Sequence, residues 1–545
     1  MPVTGQTSFG AYLVRLPVTL AKIRVAITCH FVDDNFNLIE ALLDFSEVDG
    51  QHTGIHLAEI VLKVLNEYDI VEKLYCITSD NASNNLTMVK ELSRRMDDEH
   101  GIDWDYEKNH IPCLAHIINI AVDHFLKSIK ADSLSSDQDG NTVSNEYKFS
   151  VSLKKTRGIA KAIRSSPQRW KAFQAICETY NIKPLKIYID VPTRWNSVHR
   201  MLERVIYLRK AVHRFVEDHE ELEEYALHDK EWDLMELLCG FLYPFKKCTD
   251  ILQATLKPEI DRVFWCYNHL FNLIDDFKDT LRGRQARRQP WSSELLKALE
   301  TMEEMLKKYY TQTEKPTVYV DAVILNPRVK LAMFKREEWS EEDAETYARQ
   351  SKQRFEDMYD GLSIDAGYSQ DSVLGRKRKA DEIEDDDYEQ FLNDQLEAES
   401  KNEFDKYLGL PREPHMKCAL DWWRLHWRQF PHLARMVRDV FSVPPTGSGV
   451  EREFSISGRV ATWQRNRLHA STIRACMLYK NYLRRSNQQL EVCPELVECL
   501  GMGAHDDEEE ETEEEQRLTE KTLADWRKDW CASLKRPRVT GRRVE

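Results

Sequence analysis

Apolar positions along the chain divide it into an N-terminal α/β part, a long helical middle and a helical C-terminal part. Arg24-Val-Ala-Ile-Thr-Cys-His-Phe-Val32 is rich in β-branched residues and ends at the turn-forming Asp33-Asp34-Asn35. It predicts a strand, with Phe36 to Phe45 returning as the second half of a hairpin. Leu57, Val61, Leu65 and Tyr68 recur at helical spacing, so Thr53 to Tyr68 is expected to be a helix packed on that sheet. Leu74 to Thr78 is too short for a helix and suits a buried strand. Ser79-Asp80-Asn81-Ala82-Ser83-Asn84 follows as a turn, then a helix through Met96, then another from about Cys113 to Phe125 opened by Pro112. Ala131 to Asn145 is polar and reads as a loop. From Val151 to Phe355 the pattern is mainly helical, with amphipathic stretches such as Trp232 to Gln253, kinked at Pro244, and another that Pro258 opens and that runs to Phe277. Ser363 to Lys401 is charged and poor in apolar residues, and no structure is predicted for it. Asp421-Trp-Trp-Arg-Leu-His-Trp427 begins a compact aromatic helical segment that reaches about Leu483, and the remainder reads as a tail.

A chain of 545 residues exceeds what one hydrophobic core organises, so two or more domains are expected. The sequence offers no run of apolar residues long enough to span a bilayer, and Met1 to Leu20 lacks the succession of a secretory signal, which predicts an intracellular protein with no membrane partner. The twelve cysteines sit mostly inside apolar patterns, as Cys76, Cys239, Cys266 and Cys476 do, and read as reduced buried thiols. No Cys-x-x-Cys pair occurs, so no structural zinc is expected. The net charge of −15 is concentrated in two acidic blocks, Asp381 to Asp387 and Asp506 to Glu515. With these set aside the chain is nearly balanced, which leaves room for basic patches.

Two carboxylates stand where chemistry is plausible. Asp80 lies at the carboxyl end of a buried strand, where open α/β sheets place ligand-binding residues; it equally suits an Asx-turn or a cap on the next helix. Glu451 lies in Ser442-Val-Pro-Pro-Thr-Gly-Ser-Gly-Val-Glu451-Arg-Glu-Phe-Ser455, a turn-rich loop feeding a helix, where an acid also serves as plain dipole compensation.

Five ordered motifs go further: Ile77-Thr-Ser-Asp80-Asn-Ala-Ser-Asn-Asn85, Cys113-Leu-Ala-His116, Thr193-Arg-Trp195-Asn-Ser197, Val323-Ile-Leu-Asn-Pro-Arg-Val-Lys-Leu331 and Val450-Glu451-Arg-Glu-Phe-Ser455. Together they resemble hAT-superfamily transposases, the fungal branch especially, over nearly everything from Ala26 to Leu483. The resemblance implies an α/β plus α fold: an RNase H-like mixed sheet, a large all-α insertion interrupting it, and a helical C-terminal dimerisation region. It also implies three acids holding two divalent ions, Mg²⁺ or Mn²⁺, which stabilise the attacking and leaving oxygens of phosphoryl transfer. Asp80 matches the second acid and Glu451 the third, both as catalytic residues and as metal ligands. His116 matches a histidine near the active site, either a phosphate-side helper or a core histidine. Trp195 matches an aromatic that stacks on an extruded base, or else packs the insertion onto the sheet; Arg194 beside it is suited to a DNA phosphate. Asn326, Pro327 and Arg328 look like scaffold, a turn between insertion helices, and carry no assigned chemistry. Trp422, Trp423, Phe430 and Leu433, with Ala475, Leu478, Tyr479 and Tyr482, form apolar faces for a core or a dimer seam.

The implied partners are DNA, at transposon ends, and further copies of the chain as a homodimer or higher oligomer. Arg376-Lys377-Arg378-Lys379, and Lys535 to Arg538, read as nuclear import signals. The expected layout is 1–130 for the first part of the sheet domain, 131–200 a connection, 201–362 the insertion and 363–402 a disordered linker. Residues 403–485 then form the dimerisation region, and 486–545 a disordered acidic tail.

The sequence departs from the family in one respect that matters for chemistry. The first acid belongs on the strand before Arg24, yet no Asp or Glu occurs from Met1 to His30, and Ser8-Phe9-Gly10 carries glycine where the acid would stand. Asp33 and Asp34 lie at the far end of a neighbouring strand. A missing ligand in a paired-ion site costs several kcal/mol of transition-state stabilisation. The zinc-binding BED module of many relatives is not present either. The reading is therefore a truncated or degenerate copy: a transposase or transposase-derived nuclear protein whose strand cleavage and transfer are impaired, or alternatively a non-catalytic dimerising DNA-associated scaffold.

Overall fold

The computed structural model describes residues 9–16, 24–48, 53–131, 149–190, 195–253, 257–283, 289, 291–335, 339–360, 402–460 and 469–487. The import cluster Arg376 to Lys379, the linker, the acidic tail and Arg194 lie outside the described residues.

Five strands form one sheet: β1 (Phe9–Leu16), β2 (Arg24–Val32), β3 (Leu38–Glu47), β4 (Leu74–Ser79) and β5 (His110–Pro112). Their order is β3-β2-β1-β4-β5. β1 pairs antiparallel with β2 and parallel with β4; β5 continues parallel to β4. Sequence pattern missed two of these strands. Phe9–Leu16 is an apolar run broken by Gly10 and stopped by Pro17, and its partners are distant in sequence. Pro112, expected to open a helix, instead ends β5, at an edge strand where its missing N–H costs no ladder bond.

The helices α1 (Gly54–Glu67) and α2 (Ser83–His100) cover one face. Thr53 Oγ accepts from the His56 amide and starts α1. α2 runs one turn past Met96 and stops at Gly101, whose φ of +68° permits the left-handed cap that ties its amide to Asp97 and the Ile102 amide to Met96. Val25, Ile27 and Cys29 of β2 point into this layer against Leu57, Val61, Leu65, Met88 and Leu92, all nearly solvent-free. Each such Leu or Ile contributes about 1.5–3 kcal/mol by leaving water. The opposite face, through Ala26, Leu42 and Phe45, packs on α13 (Ser448–Val460) and α14 (Ala470–Asn487) via Val450, Phe454, Ile473 and Met477. Polar ties reinforce it: Asn481 Oδ1 accepts from the Leu42 amide at 3.1 Å, and Arg474 pairs with the buried carboxylate of Asp44 at 2.5 Å. The sheet is thus completed from more than 400 residues downstream.

The chain divides into two compact units. The first takes in Met1–Cys113, Ala254–Val263 and Glu314–Gln489, and the second Leu114–Gln253 and Phe264–Thr313. Among its described residues the second unit's regular elements are helices: α3 (Leu114–Ala131), α4 (Phe149–Arg164), α5 (Trp195–Tyr207), α6 (Asp229–Leu252), α7 (Val263–Arg282) and α8 (Ser292–Tyr310), with short turns and helices between. Phe241 of α6 stacks its ring 5.0 Å from Phe125 and 4.8 Å from Phe277.

The helical unit thus begins earlier than the sequence boundary at 201, and residues 314–362, assigned to the insertion on sequence grounds, cluster with the sheet unit. The reason is hydrogen bonding as well as packing. Helix α9 (Val318–Leu325) is wholly buried, and its last carbonyls accept from Tyr407 Oη (Ile324 O, 3.1 Å) and Trp423 Nε1 (Leu325 O, 2.9 Å). Asp321 of the same helix makes a two-pronged ion pair with Arg354 of α10 (Glu341–Met358). Trp422, Trp423, Phe430 and Leu433 are core residues here, around α11 (Ala419–His426) and α12 (Pro431–Val440), whereas Tyr479 and Tyr482 are 52% and 56% exposed. The aromatic set therefore splits into a buried core and an open face on α14.

Candidate site at the carboxyl end of the fourth strand

β4 is buried at every position but the half-buried Tyr75, and Asp80 is the first residue to leave it. Ile77 faces α1 and α2, so Thr78, its neighbour in the strand, faces the opposite layer. Thr78 Oγ1 donates to the carbonyl of Pro444 at 2.7 Å, which ties the turn-rich loop before α13 to the end of β4. On the β5 side, Ser79 Oγ is 2.9 Å from His110 Nε2, and the Cys113 amide donates to the Ser79 carbonyl. Burial drives the His110 imidazole down to about 4, so at neutral pH its ring is uncharged.

Asp80 itself closes an Asx-turn: its Oδ1 accepts from the Ala82 amide at 3.0 Å and from Asn85 Nδ2 at 2.6 Å. Asn85 is buried and anchors the carboxylate from the first turn of α2. The cap position of α2 belongs to Ala82, so Asp80 is not the helix cap.

Glu451 lies in the first turn of α13 and is exposed, while its neighbours Val450 and Phe454 enter the core. That turn is pinned over β3. Arg452 reaches Glu40 at 2.8 Å, and a Cβ on Gly449 would stand 2.5 Å from the Glu40 carboxylate, so a larger residue there would push the end of that side chain aside. Neither Glu40 nor Thr78 was singled out by sequence; the glycines at 447 and 449 were the available signal.

Asp80 and Glu451 therefore belong to one compact unit. Their anchors differ: Glu40 pairs with His30, His30 with Gly10 and Gly10 with Cys76, which sets Glu40 three strands from β4, on the order of 14 Å.

The donor set does not fit a pair of divalent ions. Parallel register puts Leu13 beside Ser79, so the β1 residue level with Asp80 is Val14, and the strand contains no acid at all. Among the described residues no group of three His, Cys, Asp or Glu is placed to hold a metal. Two carboxylates cannot neutralise two dications or supply a bridging third.

The remaining sequence candidates lie in the helical unit. His116 is half-buried in the first turn of α3. Trp195 opens α5 and is 4% exposed, so its ring is packed and a base would have to displace its neighbours to stack on it.

A mixed five-stranded sheet in this order, with an acid leaving the fourth strand and a late helix closing the opposite face, defines an RNase H-like core with helical additions. Three family models match successive stretches: the ZBED1 RNase-like domain over residues 21–106, the ZBED1 RNase-like helical domain over 111–241 and the hAT family C-terminal dimerisation region over 403–483. Over residues 403–483 the chain therefore carries a hAT family dimerisation region, and over 21–241 it is similar to RNase-like domains of ZBED1 type. Among its curated relatives are a putative transcriptional regulator, tpeD, of Talaromyces stipitatus, 27% identical over 84% of this chain and 51% of that protein, and the putative AC transposase of Zea mays, 24% identical over 87% and 57%. The zinc finger BED domain-containing protein RICESLEEPER 2 of Oryza sativa is 22% identical over 77% and 57%. The chain spans about half the length of these relatives.

Proposed function

We propose that this chain is a nuclear, DNA-binding, self-associating member of the hAT family in which strand cleavage is weak or absent. The observation that carries the reading is the register of β1: valine stands level with Asp80 on a strand that has no carboxylate, in a fold whose relatives include transposases. In this reading the helical unit is an insertion in the RNase H-like domain, and α11 to α14 contribute the self-association surface. Arg194 and Trp195 contact DNA once Trp195 is uncovered, His116 assists on the phosphate side, and Arg376 to Lys379 direct import. Transposon ends are the natural DNA for such a protein.

The test is nicking of a terminal-repeat duplex in magnesium or manganese, run beside DNA retention and sedimentation. The expected outcome is no cleavage above background, with retention and self-association unchanged in Asp80→Ala/Glu451→Ala. Robust cleavage that the Asp80 substitution abolishes refutes the loss of chemistry; failure of the unsubstituted chain to retain DNA refutes the binding reading.

A further inference from the structure

Asn326, Pro327 and Arg328 take no part in the carboxylate site at the end of β4. In the structure they form one wall of a concave pocket of about 270 Å³, solvent at the mouth included. Three separate segments of the sheet unit build it: the turn from Lys257 to Arg262, Asn326 to Arg328 after α9, and Lys417 to Ala419 at the start of α11. Each contributes cations. Arg262 is spoken for, being 2.7 Å from Glu259. Lys257, Arg328 and Lys417 have no carboxylate within ion-pair distance among the described residues.

The acid in the wall, Asp261, is engaged as well: Asn326 Nδ2 donates to its Oδ2 at 2.5 Å, while Asn326 Oδ1 receives the Arg328 amide at 3.0 Å. That double bond set holds the Arg328 backbone against the pocket. Lys257, Arg262, Arg328 and Lys417 outnumber the acids beside them, Asp261 and Glu259, so the concavity carries an excess of positive charge that an anion would relieve. The amino end of α11, at Cys418 and Ala419, adds the positive end of a helix dipole to the same concavity. The enclosed part is only about 10 Å³, far below the roughly 300–1,000 Å³ of pockets that enclose whole small molecules, so only one group of a larger ligand can meet the rim.

We propose that this pocket binds a phosphate, and specifically one backbone phosphate of DNA. The DNA source rests on the DNA-binding reading above; the phosphate chemistry rests on the pocket alone.

The experiment measures binding of a random-sequence duplex by the full chain as a function of salt, for the unsubstituted protein and for Arg328→Gln/Lys417→Gln, with Lys63→Gln on the exposed side of α1 as a charge control. One lost phosphate contact lowers the slope of log affinity against log salt by about 0.9 and weakens all sequences alike. A second arm follows thermal stabilisation by inorganic phosphate.

A reduced slope in the double variant only, together with loss of phosphate stabilisation, supports the proposal. If the unsubstituted chain binds DNA and the double variant binds with equal affinity and slope, the pocket proposal falls and the DNA-binding reading stands. If the unsubstituted chain fails to bind DNA, that reading falls and the DNA source with it. Phosphate stabilisation lost in the double variant then identifies a free-anion site, and no stabilisation overturns the pocket altogether.

Discussion

Replacing Thr78 by valine removes one hydroxyl from a fully buried strand residue and leaves its shape. The hydroxyl donates to the Pro444 carbonyl at 2.7 Å, and this bond is the tie between the end of β4 and the loop that leads into α13. Valine would leave that half-buried carbonyl without its protein donor, at a cost of about 1–3 kcal/mol, less where water reaches it. Thr78→Ser keeps the donor and loses a methyl group, which costs about 1 kcal/mol through packing. The two variants are therefore separable by where the loss appears. Urea unfolding gives the global cost. Hydrogen exchange over 442–451 gives the local one: the valine variant is expected to exchange roughly 5- to 150-fold faster there, and the serine variant near the unsubstituted rate. If the valine variant stays within about 0.5 kcal/mol and exchange in the loop is unchanged, Thr78 does not hold the loop to the end of β4.

Two further outcomes follow from buried charge. Arg354→Met leaves the carboxylate of Asp321, 1% exposed, without its cation, and is expected to destabilise the sheet unit by about 3–5 kcal/mol in urea unfolding. His110 titrates near 6.5 when unfolded and at about 4 when folded, so the unfolded chain binds the extra proton and stability falls as pH drops from about 6.5 toward 4. Its partial exposure at the sheet edge trims the full linkage to about 1–3 kcal/mol; buried His30, also pushed down by desolvation, adds in the same direction. His110→Gln should flatten the stability profile over that window, as measured by midpoints in urea at several pH values.

Much of the α/β half was legible. The hairpin, α1, β4 and the turn at Asp80 all announce themselves through local periodicity and turn residues, because each is decided by neighbours in sequence. What escaped was decided elsewhere. β1 earns its place from partners on β2 and β4, and β5 is a three-residue strand with a proline at its end, which no period reveals. Asp80 was legible as the acid leaving β4, and its Asx-turn with Asn85 is the plainer of the two readings its local signal left open. The core role of Trp422 and Trp423 became distinct from the open face of Tyr479 and Tyr482 only once α9 supplied carbonyls for Trp423 and Tyr407. Lys257, Arg328 and Lys417 are scattered over 160 residues, and only the fold brings them to one rim.

The late closure of the sheet has a consequence for biogenesis. Ala26, Leu42 and Phe45 emerge from the ribosome early, yet the residues that cover them, Ile473 and Met477, are made over 400 residues later. At roughly 5–20 residues per second the nascent sheet waits on the order of 20–90 s with one greasy face open to water. Holdase chaperones have that interval in which to bind, and a ribosome that stalls within the helical unit would release a chain prone to aggregate through this face.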